Sequence, residues 1–234
     1  MVKSHSNSNH LILDHHPKNM DILRYRSPAI IAITGSTGSG KTRHALQLIK
    51  YIDAMFDRPV VNIIYCYAQY QTIFAEIERT TPNISFHLGL PDEEVLSKCS
   101  EQVHSVLFLD DLMEQITQDK QALLLFTQIS HHKCVSLVYL NQNIYHQGKN
   151  STTLTRNIHY HILMRSPCMG QQIISLGKQL YPGKGQALME AYNDSTKSEL
   201  YSYLLVDLSP HSEDQYRLRT NIFPEQTPIV YIPH

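Results

Sequence analysis

Gly35-Ser36-Thr37-Gly38-Ser39-Gly40-Lys41-Thr42 fits the pattern G-x-x-x-x-G-K-[ST] without a mismatch. Glycines at these places let the backbone turn successive N–H groups inward. Those groups, with the N-terminus of a following helix, make a nest for phosphate oxygens. Lys41 would reach the β and γ phosphates of ATP as a point charge, and Thr42 would place its hydroxyl on Mg²⁺. Such a loop must be entered by a strand and left by a helix. The apolar run from Ala29 to Ile33 supplies the first; Ala45, Leu48, Ile49, Ile52 and Phe56, recurring at three- and four-residue spacing, supply the second.

A second group of residues adds chemistry to that loop. Val106-Leu107-Phe108-Leu109-Asp110-Asp111 is an apolar strand ending in two carboxylates. It would deliver Asp110 to the C-terminal edge of a sheet, beside the phosphates, to hold a water ligand of Mg²⁺, and Asp111 would polarise the attacking water. The plainer alternative is that both aspartates cap the next helix. Kinases and GTPases usually carry one acid here, whereas hydrolysing motors carry an adjacent second one and then another strand with a polar end that touches the γ-phosphate. The run from Val135 to Leu140 is such a strand, and Asn141 or Gln142 after it would be the γ-phosphate sensor, unless they form an ordinary turn.

The elements that must position these residues alternate along the chain. Strands are expected over 29–34, 60–67, 105–109, 135–140, 159–164, 201–207 and 217–222. Helices are expected over 41–56, 70–80, 92–98, 120–130, 169–180 and 185–192. Strands that are apolar throughout and separated by helical stretches predict an α/β fold, a central, mostly parallel sheet flanked by helices; joined to the phosphate loop and the tandem acids, it resembles the P-loop NTPase (ASCE/RecA-like) kind. The domain would run over 27–224, after an irregular lead-in (1–26) whose apolar patch Leu11, Ile12 and Leu13 clips onto it, and before a short tail (225–234). A chain of 234 residues, 42% apolar and 18% charged, suits one large domain with a real core. No apolar run approaches the roughly 18 residues that span a bilayer, and the first 26 residues show no apolar stretch of a secretory signal.

Other residue types point to no further chemistry. Cys66, Cys99, Cys134 and Cys168 form no C-x-x-C pair and read as reduced thiols. His131, His132 and Cys134 cluster, and His159 and His161 alternate, but no four-ligand set with zinc spacing is present. The 14 tyrosines read as packing and sheet-surface residues. A formal net charge of −1 argues against a protein that coats nucleic acid. The charge is nonetheless segregated: 92–119 holds eight acids and one base, Lys98, whereas 121–189 holds no acid and six bases, Lys133, Lys149, Arg156, Arg165, Lys178 and Lys184. The acid-free stretch would present a weakly positive surface to phosphates.

Taken together, GSTGSGKT, VLFLDD, VSLVYLNQN with its following QGK loop, and the late segment LYPGKG…YLLVDL…RLRTNIF resemble the FtsK/HerA-type genome-packaging ATPases of double-stranded DNA viruses, including the nucleocytoplasmic large DNA viruses, and of polinton or adintovirus-like elements. The resemblance runs from about residue 27 to 224. It implies a homo-oligomeric ring, often hexameric, that hydrolyses ATP to move double-stranded DNA into a preformed capsid, with a capsid or portal-type component as partner and no membrane. It also implies an intracellular place in a host, cytoplasm or nucleus, or association with a virion. A ring of this kind completes its site with an arginine from the neighbouring subunit. Arg165 and Arg156, which flank the strand over 159–164, are the first candidates, with Arg217 and Arg219 behind them. The polar loop over 145–150 would touch DNA. A nucleoside or nucleotide kinase, or an assembly switch with little turnover, remain the rival readings.

Overall fold

Short apolar runs, most of them buried on both sides, make the centre of one sheet. The structure is a computed structural model, and it describes residues 10–13, 22–118, 133–145, 155–197 and 199–233. In chain order the strands are β1 (His10–Ile12), β2 (Ile30–Thr34), β3 (Val60–Tyr67), β4 (Ile84–Leu88), β5 (His104–Asp110), β6 (Val135–Asn141), β7 (Tyr160–Met164), β8 (Tyr203–Asp207), β9 (Leu218–Thr220) and β10 (Ile229–Tyr231). Among the described residues they form a ten-stranded sheet in the order β1-β10-β9-β8-β7-β2-β6-β5-β3-β4. From β7 to β4 neighbouring strands run parallel, and from β7 to β1 they alternate antiparallel. Strand β6 therefore separates the strand that enters the phosphate loop from the strand that ends in the acids.

Every residue of β2, β5, β6, β7 and β8 is buried, as expected of strands covered on both faces. Alternate residues serve alternate faces. Ile31 and Ile33 join Ala45, Leu48 and Ile49 of α1 (Lys41–Lys50) in one core cluster, while Ile30 and Ala32 join Leu107, Leu109, Leu112 and Ile116 in another. A third cluster seats Ile173 and Leu188 against Leu163, Leu204 and Val206.

The single helix expected over 41–56 is two. It stops at Tyr51, whose backbone leaves the helical region (φ −109°, ψ 23°), and resumes as the short α2 (Ile52–Met55), so that Met55 and Phe56 still reach the first cluster. The remaining described α-helices are α3 (Ile73–Thr80), α4 (Glu93–Ser97), α5 (Met113–Gln118), α6 (Gly170–Leu180) and α7 (Gln186–Ser195). Expected strands 201–207 and 217–222 are shortened to β8 and β9 because Tyr201 and Asn221 take positive φ (66° and 56°), which breaks an extended run. Strand β4 and helix α5 were not expected. Strands β1 and β10 bring residues of the lead-in and of the tail into the sheet, outside the span 27–224. The expected helix over 120–130 lies outside the described residues.

Candidate nucleotide site

The loop over 35–42 connects β2 to α1, at the edge where the parallel strands end. Gly38 (φ 77°) and Gly40 (φ 99°) adopt the positive φ that a side chain opposes, and Gly40 also serves as the residue before the helix, without a side-chain cap on its first N–H groups. Those open donors and the helix dipole face the loop, which suits an anion. The Lys41 ammonium folds into the loop and donates to the carbonyls of Gly35 (2.8 Å) and Ser36 (3.0 Å). An ammonium has three protons, so one remains for a phosphate oxygen. Burial lowers the pKa of Lys41, against the opposing pull of Asp110 and Asp111.

Asp110 ends β5 and is 8% exposed. Its Oδ2 accepts the Tyr65 hydroxyl (2.8 Å) and lies 3.4 Å from the Thr42 hydroxyl, which donates to it across the sheet edge. Desolvation raises the Asp110 pKa and neighbouring Asp111 adds to the rise; Tyr65, Thr42 and Lys41 oppose it. Tyr65, fully buried on β3, is held as the neutral donor by desolvation first and by the Asp110 charge second. Asp111 is exposed and turns out of the strand in the left-handed region (φ 58°), a conformation aspartate tolerates better than most side chains. Thr42 and Asp110 offer the hard oxygens that Mg²⁺ prefers, and few protein ligands are needed when phosphates and waters complete the octahedron. The residues present therefore fit the ion. Among the described residues there is no group of three or more His, Cys, Asp or Glu that could hold a metal.

One cavity of about 410 Å³ gathers much of this chemistry: Thr37, Gly38, Gly40, Lys41, Thr42, Asp110, Asp111 and Gln142 all line it. The two sensor candidates part company. Gln142 is exposed and faces the cavity, whereas Asn141 is 3% exposed and engaged beneath the loop. The Asn141 carbonyl accepts the Gly35 N–H (3.2 Å), and its side-chain oxygen accepts the Thr34 hydroxyl, which also lies 2.7 Å from His161 Nε2. Register explains this: Thr34, the last residue of β2, pairs with Asn141 on one side and Leu163 on the other. Asn141 thus supports the first glycine of the loop.

The arginines also separate. Arg165 follows β7 directly, is exposed, and stands at the edge where the loop begins. Arg156 precedes β7, at the other end of that strand, and lines a different cavity with Ile144 and His161. Arg217 and Arg219 are committed inside the subunit. Arg217 binds Asp214 (2.8 Å) and the carbonyls of Asp207 and Ser209; Arg219 forms a buried pair with Asp207 (2.6 Å). His159 Nδ1 accepts the Ile30 N–H (3.0 Å), a role within the sheet. His131, His132 and residues 146–150 of the expected DNA loop lie outside the described residues.

Among the residues of the site not anticipated from sequence are Arg43, Gln69 and Gln71, which line the cavity, and Tyr65 and Tyr201. Tyr65 resembles any strand tyrosine until the β3–β5 register, which sets it opposite Phe108 two residues before Asp110, lets its hydroxyl reach that carboxylate. Tyr201 lines the cavity and leans on Gly40.

The strand, glycine-rich loop and helix, with an acid delivered by a second parallel strand, decide the architecture. The α/β fold with a mostly parallel sheet, expected around the phosphate-loop motif, is present. Two solved structures to which the chain is similar are EssC (ATPases 2 and 3) from Geobacillus thermodenitrificans, at 12% identity and a TM-score of 0.46 over 98% of this chain, and the ATPase DotB of Legionella pneumophila, at 14% identity and a TM-score of 0.38 over 80% of it. The chain spans 45% and 57% of their respective lengths. No protein-family model and no curated protein matches the sequence.

Proposed function

We propose that the protein hydrolyses ATP and uses the energy to move double-stranded DNA, as a subunit of a homo-oligomeric ring that packages a viral or virus-like genome into a capsid. The observation that carries hydrolysis is the meeting of the Thr42 hydroxyl with the Asp110 carboxylate at 3.4 Å, while Asp111 and Gln142 line the same cavity. In this reading the loop N–H groups and Lys41 hold the β and γ phosphates. Thr42 and Asp110 hold Mg²⁺, which supplies charge neutralisation on the phosphates when bound. Asp111 accepts a proton from the attacking water, and Gln142 reports on the γ-phosphate. Arg165 of one subunit completes the site of the next.

The DNA role is supported by the acid-free stretch over 121–189 and by the resemblance to packaging ATPases. A near-neutral chain would grip DNA weakly as a monomer, and many such contacts around a ring would hold it without reading sequence.

The test combines binding, turnover and size. Lys41→Ala should abolish ATP binding. Asp111→Asn should keep binding and lower hydrolysis by at least ~100-fold, the scale of losing a general base. Normal hydrolysis by Asp111→Asn would refute the catalytic assignment. ATP-dependent assembly with DNA-stimulated phosphate release supports the translocase; transfer to an acceptor by a monomer would show a kinase, and assembly without turnover a switch.

A further inference from the structure

Tyr201 is built into the site in a way that simple packing does not require. Its backbone is left-handed (φ 66°), a conformation disfavoured for an aromatic residue and kept only where the surroundings impose it. The imposed geometry lays the side chain on the phosphate loop: a Cβ at Gly40 would fall 2.6 Å from Tyr201 Cδ1 and 2.9 Å from its Cγ. The Arg43 guanidinium stands 5.1 Å from the ring centroid. Even so, Tyr201 stays 38% exposed, whereas Tyr203, two residues on, is 3% exposed and packs in the core. Tyr201 thus reaches the rim of the cavity with part of its surface open.

The position of that ring fits the other end of a nucleotide. The cavity with Asp110 and Asp111 takes the phosphates. A second depression, of about 150 Å³, shares Gly40, Arg43 and Tyr201 with it, lacks Asp110 and Asp111, and adds the Glu199 carboxylate and the amides of Gln47, Asn221 and Gln226. A nucleoside triphosphate whose γ end sits by the acids must send its nucleoside away from them, past Gly40. His44 lines the same depression, buried, with Nε2 lacking a hydrogen-bond partner. A partly exposed tyrosine with a guanidinium over its ring, and amide groups around the pair, suits a base and its polar edge.

We propose that Tyr201 and the depression beside it form the nucleoside subsite, with a purine base stacked on the Tyr201 ring. This rests on the phosphate loop binding a triphosphate, and the test separates the two statements. ATP and inorganic tripolyphosphate, each with Mg²⁺, are titrated calorimetrically into the wild-type chain, Tyr201→Phe and Tyr201→Asn. Asparagine tolerates the left-handed backbone and removes the ring. Tyr201→Asn should bind ATP roughly ten- to a hundred-fold more weakly, the scale of one lost base–aromatic stack, and bind tripolyphosphate within about two-fold of wild type. Tyr201→Phe should keep both affinities. Equal loss of ATP and tripolyphosphate affinity in Tyr201→Asn would overturn the proposal, since the ring would then only brace the loop, and so would unchanged ATP binding. A wild-type chain that binds neither ligand would overturn the phosphate-loop reading, and the subsite with it.

Discussion

Replacing Arg219 by leucine tests whether the late arginines serve the sheet or a neighbouring subunit. Arg219 and Asp207 are each 3% exposed at the side chain and 2.6 Å apart. Arg219 also donates to the carbonyl of Ile22, while Asp207 Oδ1 accepts the Ser209 N–H (3.0 Å). Arg219→Leu leaves the Asp207 carboxylate buried without its cation. Breaking such a pair from one side costs about 3–5 kcal/mol, out of a total stability of about 5–15 kcal/mol. For a domain of this size each kcal/mol moves the thermal midpoint by roughly 2–4 °C, so a fall of roughly 6–20 °C is expected. Adding Asp207→Leu removes the stranded charge and should restore most of that loss, less about 1 kcal/mol for the Ser209 hydrogen bond. Urea unfolding followed by circular dichroism gives both numbers. The reasoning fails if Arg219→Leu changes stability by less than about 1 kcal/mol while turnover disappears, or if the double variant is no more stable than the single one.

Tyr65→Phe removes a hydrogen bond that favours the Asp110 carboxylate. Because burial already raises that pKa, it should rise further, and the acid limb of Mg²⁺-dependent ATP binding should move to higher pH; an unmoved limb in a pH series would contradict this. Gly38→Ala meets nothing within 4 Å and should lose only the left-handed penalty, about 1–2 kcal/mol, whereas Gly40→Ala must also displace Tyr201 and should weaken ATP binding more. Equal effects of the two alanines on unfolding and binding would refute the described contact. Arg165→Ala subunits mixed with wild type should depress ATPase activity more steeply than their fraction, and a linear decline would remove Arg165 as a residue acting across subunits.

Periodicity and turn residues made the centre of the fold legible. The strand expected over 60–67 is β3 to the residue, because its apolar run is long and bounded by Pro59 and a polar Gln69. The edges were not legible. β4 reads Ile-Ser-Phe-His-Leu, with polar residues at alternate places and only partial burial, and β10 is three residues set between Pro228 and Pro233. Their pairing comes from tertiary contacts that local pattern does not encode. The phosphate loop and the acids could be found because their chemistry demands contiguous residues. Tyr65 and Tyr201 could not, since each acts through register or backbone conformation. Asn141 and Gln142 were indistinguishable in sequence for the same reason: the alternation of β6 decides which one turns under the loop and which one faces the cavity.

The pairing of β1 with β10 has a consequence for how the protein is made. Leu11 sits opposite Val230, and the Leu13 N–H is accepted by the Pro228 carbonyl (3.0 Å). During synthesis the first of these segments is made more than two hundred residues before its partner. The parallel strands around the phosphate loop can assemble in that interval, while Leu11 and Leu13 wait without cover. Closing so long a loop is slow but adds little entropy per added residue. The nucleotide cavity should therefore be able to take ligand before the far margin of the sheet is sealed, and the last event in maturation should be a strand docking at the margin most distant from β4.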